Sequence, residues 1–188
     1  VIEQASGNGW EVYNGDSCEI VKGIPDNSIH HIVYSPPFES LYTYSNSERD
    51  LGNSKNSEEF FKHFSFLAAD LYRILMPGRI MAFHCMDLPM SKQRDGLRDF
   101  SGQLIRMFED VGFVLHCPRI TIRKDPVTAM QRTKAIGLLY KQLKKDSCLS
   151  RMGVPDYLIV MRKPGDNPEA VSHLPEDFPV SQWQRWAE

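Results

Sequence analysis

The stretch IVYSPPFES, residues 32–40, decides how this chain is read. Ile32, Val33 and Tyr34 run into Ser35, Pro36, Pro37 and Phe38. The apolar residues read as the end of a short strand over His30 to Tyr34. Proline fixes its own φ and pushes the preceding residue into extended backbone, so two in a row stiffen the strand end. Pro37 brings no N–H, and the Pro36 carbonyl is expected to lack an internal partner. Ser35 can set its hydroxyl beside that carbonyl. Two acceptors aimed at one point suit an exocyclic NH2 group. Phe38 offers a face for the ring that carries the amine, and such stacking is worth about 1–3 kcal/mol. A plain turn is the competing reading.

Working outward, Glu11 to Tyr13 reads as a strand ending at Asn14-Gly15-Asp16. Ser17 to Lys22 reads as a short helix, and Pro25 to Ser28 as a turn. Tyr42 to Ser57 is polar and reads as a long loop, a length usually tied to function or disorder. Phe60, Phe61, Phe64, Leu67, Ala68, Leu71 and Leu75 recur at helical spacing and predict a helix over Glu58 to Met76, stopped by Pro77-Gly78. The three phenylalanines are core residues on this reading. Arg79 to His84 follows as a strand, Leu97 to Val111 as a helix closed by Gly112, and Phe113 to Ile122 and Asp156 to Arg162 as strands. Val127 to Leu143 reads as helical. Beyond Pro164 the chain is polar and proline-rich, with Trp183 and Trp186 near its end.

Alternating strands and helices predict an open α/β sheet, mostly parallel. Ligands of such sheets sit at the carboxyl ends of the strands. Asp16 and the Ser35–Phe38 stretch both fall at predicted strand ends. His84, also at a strand end, reads as a structural histidine near the pocket.

The 188 residues, 41% hydrophobic and 24% charged, suit one domain with a real core. No apolar run approaches the roughly 20 residues needed to cross a bilayer, and the first residues carry no signal-peptide pattern. A cytoplasmic location is expected. Cys18, Cys85, Cys117 and Cys148 are scattered without a CxxC pair. In His84-Cys85 and His116-Cys117 the neighbours point to opposite faces of a strand, so no metal site is expected. Free thiols in a reducing compartment fit.

The net charge of −2 is ordinary, but its distribution is not. Between Arg119 and Asp146 eight basic residues face two acidic ones, a local +6. Arg132, Lys134, Lys141, Lys144 and Lys145 are candidates for phosphate contacts; a solvated helix face is the alternative. Tyr42 and Tyr44 are candidates to flank an extruded base, with loop packing as the alternative.

The polar-Pro-Pro-aromatic motif at a strand end resembles that of the amino-directed DNA methyltransferases. Residues 10 to 165 follow the same pattern: YNGDSCEIVKGIPDNSIHHIVYSPPF resembles the family's block leading into the catalytic loop. LYRILMPGRIMAFHC, FEDVGFVLHCPRITIRKDP and GVPDYLIVMRKPG resemble its following helix–strand blocks and last strand. The order resembles the β group of phage and bacterial enzymes, some of them parts of restriction–modification systems.

The resemblance implies a Rossmann-like sheet, mostly parallel with an antiparallel terminal strand. It implies S-adenosylmethionine as cofactor and DNA as partner, with methyl transfer to cytosine N4 ahead of adenine N6. It assigns Ser35, Pro36, Pro37 and Phe38 to catalysis and Asp16 to the cofactor. Residues 1–165 are then the catalytic half and 166–188 a polar tail. The family's glycine-rich Phe-x-Gly-x-Gly loop does not occur in this sequence. The expectation is a fragment whose cofactor half lies elsewhere, in the remainder of a longer chain or in a partner such as a second copy. RNA and protein-glutamine methyltransferases share the loop but place the cofactor block upstream. A DNA-binding remnant without activity is the non-enzymatic alternative.

Overall fold

The computed structural model describes residues 3–90, 96–123 and 155–187. The predicted helix over Val127 to Leu143 and the lysine-rich positions Arg132, Lys134, Lys141, Lys144 and Lys145 lie outside the described residues.

The strands Ile29–Tyr34 (β3) and Leu75–Met86 (β4) pair in parallel. Strand Asp156–Arg162 (β9) pairs antiparallel with β4. On its far side β9 takes Val114–Leu115 (β7) and Ile120–Ile122 (β8), both antiparallel. The sheet order is β3-β4-β9-β7, with β8 also on β9. Four strands therefore run one way. The last strand in the chain runs against them, and it sits inside the sheet rather than at its edge.

Alternation along β4 sets the inner face. Met81, Phe83 and Cys85 are fully buried, and Ile159 and Met161 of β9 join them. Helix Ser57–Ile74 (α2) lays Phe60, Phe64, Ala68 and Leu71 on this face, a stripe at helical spacing. Helix Phe100–Asp110 (α3) adds Phe100, Leu104 and Phe108. Phe108 sits at the centre, 5.3 Å from Phe83, 5.6 Å from Phe113 and 6.1 Å from Phe64 between ring centroids. Phe60 and Phe64 are thus core, as their spacing predicts.

The caps explain where the helices start. Asn56 accepts the Glu59 N–H at 2.9 Å, and the Glu59 carboxylate reaches back to the Lys55 N–H at 2.6 Å. Asp99 accepts the Gly102 N–H at 2.9 Å, and Asp87 takes both the N–H and the hydroxyl of Ser101. Helix Ser17–Ile20 (α1) is capped by Asp16 and runs into a 3-10 turn over Val21–Gly23.

Three boundaries depart from expectation. The long helix ends at Ile74, not at Pro77-Gly78. Leu75 turns extended and pairs with Ile29, so Pro77-Gly78 lies within β4 as an irregularity between two registers. Gly78 has φ +75, and a Cβ there would sit 2.8 Å from the Asn167 nitrogen. Leu97–Arg98, read as helix, form a short strand (β6) paired with Leu88–Pro89 (β5). The strand read over Phe113 to Ile122 is broken into β7 and β8.

Glu3–Gly7 (β1) and Trp10–Asn14 (β2) form an exposed hairpin of their own. Helix Val180–Ala187 (α4) carries Trp183 and Trp186, which pack with Phe178 and stay exposed.

Candidate active site

Register brings the site together at the carboxyl end of β3. Parallel pairing sets Tyr34 opposite Phe83, so Ser35 falls beside His84. Antiparallel pairing sets Met86 opposite Asp156, so His84, two residues back, shares a face with Asp156. Ser35 Oγ lies 3.4 Å from His84 Nδ1, and His84 Nε2 lies 3.0 Å from Asp156 Oδ2. The Asp156 side chain is 6% exposed. A carboxylate beside Nε2 calls for the proton on that nitrogen, leaving Nδ1 to accept from the Ser35 hydroxyl. The oxygen of Ser35 then turns its lone pairs outward. This row lies on the sheet face opposite Phe83 and Cys85, whose side chains enter the core. Histidine and cysteine at 84 and 85 thus point apart. Burial, with Asp87 nearby, pushes the Cys85 thiol up to about 12.

Pro36 is fully buried and Pro37 half-buried, which anchors the loop. The Phe38 ring is half-buried and tilts 44° against Phe100 at 6.3 Å, so the core holds part of its surface. Tyr34, on the core side, packs on Phe83 at 6.1 Å. Its hydroxyl has no hydrogen-bond partner among the described residues, and burial drives its pKa well above the ordinary value.

Asp16 follows β2 and caps α1, accepting the Cys18 N–H at 2.9 Å through one oxygen. Its other oxygen meets Arg49 Nη1 at 3.0 Å. Arg49 belongs to the long polar loop, which Asp50 organises. That carboxylate accepts the N–H groups of Tyr44, Ser45 and Gly52 at 3.0, 2.6 and 2.8 Å. These bonds, Gly52's foremost, hold its pKa below the usual carboxylate range. A Cβ at Gly52 would sit 2.2 Å from the Tyr42 carbonyl oxygen, so the crossing needs glycine. Tyr42 and Tyr44 are exposed on this loop with ring centroids 6.3 Å apart. Arg119, at the start of the basic segment, is held 3.5 Å from Asp99 and lies over the Tyr157 ring at 6.0 Å.

The sequence singled out Ser35 to Phe38 and gave His84 a structural role, but did not single out Asp156. A polar residue at the start of the last strand, on the same face as a histidine at the end of its neighbour, is the signal that was there.

No family model matches the chain. A type II methyltransferase of Bacillus subtilis, M.BglII, is 33% identical over 68 residues, 36% of this chain and 17% of that protein. A protein of Thermus thermophilus, assigned as a DNA modification methylase and solved with S-adenosyl-L-methionine, superposes with TM-score 0.63 at 18% identity. That match covers 93% of this chain and 62% of the other. The cytosine-N4-specific PvuII DNA methyltransferase superposes with TM-score 0.55 at 22% identity, over 81% of this chain and 49% of its own. The chain therefore spans less than two thirds of the length of the proteins it matches. Its fold is the Rossmann-like fold of the S-adenosylmethionine-dependent methyltransferases, and its similarity to a type II DNA methyltransferase fits the amino-directed family that its motifs resemble.

Proposed function

We propose that this protein transfers a methyl group from S-adenosylmethionine to the exocyclic amine of a base in DNA, cytosine N4 ahead of adenine N6. The observation that carries this reading is the Ser35–His84–Asp156 row at the carboxyl end of the parallel strand pair. Serine at the head of the motif and the cytosine-N4 specificity of the PvuII neighbour favour cytosine. Adenine N6 is the second reading, because the same two acceptors meet either amine.

The residues present fit the cofactor at Asp16. One of its oxygens is held by an arginine that is 69% exposed, and surface pairs of this kind open at little cost. A carboxylate so placed can accept from a ribose hydroxyl or an adenine amine. When bound, S-adenosylmethionine supplies the electrophilic methyl group. The chain's own residues hold the amine and take its proton. Ser35 Oγ and the Pro36 carbonyl accept from the NH2 group and turn its lone pair toward the methyl. Once methylated, the nitrogen carries a proton too many. Ser35 Oγ takes that proton as its own passes to His84 Nδ1, and Asp156 stabilises the imidazolium formed. Phe38, Tyr42 and Tyr44 are assigned to flank the extruded base. The basic positions Arg132, Lys134, Lys141, Lys144 and Lys145 are assigned to the DNA backbone; reversing their charge lowers DNA affinity and its salt dependence.

The test is to incubate the full protein with unmethylated duplex DNA and S-adenosylmethionine, digest to nucleosides and separate them. N4-methyldeoxycytidine is expected. N6-methyldeoxyadenosine selects the second reading, and finding neither base refutes both. His84→Gln and Asp156→Asn are expected to lower kcat by about 10²–10⁴-fold, the usual worth of positioned acid–base groups.

A further inference from the structure

Directly after Phe38 the chain does something that local chemistry disfavours twice. Glu39 has φ +47, in the left-handed region that residues with a Cβ seldom adopt. It is also only 3% exposed, so a carboxylate is taken out of water there. Its partners explain how it is tolerated. One oxygen pairs with the Arg98 guanidinium, and the other accepts from the Ser57 hydroxyl at 3.1 Å. Ser57 is the first residue of α2, and Arg98 ends β6 just ahead of the cap of α3. A single carboxylate therefore ties the loop to the starts of both helices.

We infer that Glu39 is a positioning residue, which holds the Ser35–Phe38 loop in its working orientation through Arg98 and Ser57. The inference rests on the methyltransferase reading above and deepens it. The geometry is specific to the loop. The Phe38 carbonyl accepts the Leu41 N–H at 3.0 Å, closing a 3-10 turn over Glu39–Leu41. The Phe38 ring leans on Phe100, the first residue of α3, so ring and carboxylate grip the same entry to that helix. Ser35 is held at the other end of the loop by His84. Pinned at both ends and stiffened by two prolines, the loop has little room to turn. Apolar side chains could fill the same space at no loss of stability, since a buried ion pair adds little over a packed hydrophobic pair. What the pair adds is direction: the carboxylate must face Arg98, and that fixes the turn.

The test uses the full protein carrying Glu39→Leu together with Arg98→Met, which removes both charges at similar size. Melting temperature, amide hydrogen exchange at Leu41, kcat, and the KM for DNA are measured. The variant is expected to fold with a melting temperature near that of the parent. Leu41 exchange is expected to rise about tenfold or more as the turn loosens. A misplacement of about 1 Å can cost about 10²-fold, so kcat is expected to fall by that order while KM changes less than about threefold. Exchange and kcat both unchanged in a folded double variant overturn the inference, as does faster exchange with kcat intact. If the double variant does not fold, Glu39→Gln, which keeps the size and the bond to Ser57, is read in the same way. If the parent protein transfers no methyl group, the methyltransferase reading fails. Leu41 exchange then decides by itself whether Glu39 holds the loop: a faster rate sustains it and an unchanged rate overturns it.

Discussion

Replacing Lys163 with methionine is expected to destabilise the fold by about 2–4 kcal/mol while leaving the chemistry of the folded protein intact. Lys163 follows β9 and is 8% exposed. Its ammonium donates to the carbonyls of Tyr72 and Leu75 and to the Asn27 side chain, each at 2.7 Å. It also lies 4.6 Å from the centre of the Tyr72 ring. One of these acceptors, the Tyr72 carbonyl, lies in the last turn of α2, which the helix itself leaves unpaired; the Leu75 carbonyl opens β4 just beyond it. Hydrogen bonds to a charged donor contribute about 1.5–3 kcal/mol each, so three sum to several. Against them stands the cost of drying the ammonium, and burial does pull the pKa of Lys163 below the ordinary lysine value. Methionine keeps the apolar stem and removes the charge, leaving the difference between the two terms. For a domain of this size the melting temperature should fall by about 2–4 °C per kcal/mol. Urea denaturation and a thermal melt of Lys163→Met check the figure. Lys163 lies at the end of β9 away from Asp156, so kcat of the folded variant should match that of the parent. A loss below about 0.5 kcal/mol would mean that water serves the carbonyls equally well and that the buried ammonium adds nothing to the fold.

Two further outcomes follow from single contacts. Arg49→Ala frees the second oxygen of Asp16, so affinity for S-adenosylhomocysteine in titration calorimetry is expected to rise about two- to fivefold. A fall in affinity would mean that Arg49 itself holds the cofactor. Cys85 titrates at about 12 in the fold, because of burial first and Asp87 second, against about 8.5 in an unfolded chain. Between those values the unfolded state has lost the proton and the folded state keeps it, so stability falls as pH rises. Denaturation midpoints at pH 8 and pH 10 should draw closer together in Cys85→Ala; an unchanged gap would place the alkaline sensitivity elsewhere.

Local chemistry made much of this protein legible in its sequence. Two prolines after an apolar run mark a strand end wherever they occur, because proline restricts itself and its predecessor. The stripe from Phe60 to Leu71 marks one face of a helix, because 3.6 residues make a turn. These cues identified the α/β sheet, the loop from Ser35 to Phe38 and the place of the motif at a strand end. What they missed lies between distant segments. The long helix stops at Ile74, because Leu75 turns extended to pair with Ile29 and Lys163 takes carbonyls at the helix end. Leu97 and Arg98 are strand, because Leu88 and Pro89 lie beside them. His84 and Asp156 meet only through two register choices, one parallel and one antiparallel, and Glu39 faces Arg98 and Ser57 only once both helices are docked. The sequence by itself therefore determined the elements and the motif, since φ restriction and periodicity act over a few residues. The tertiary structure decided which charges and hydroxyls stand within reach of that motif, since register and packing are set by partners far along the chain.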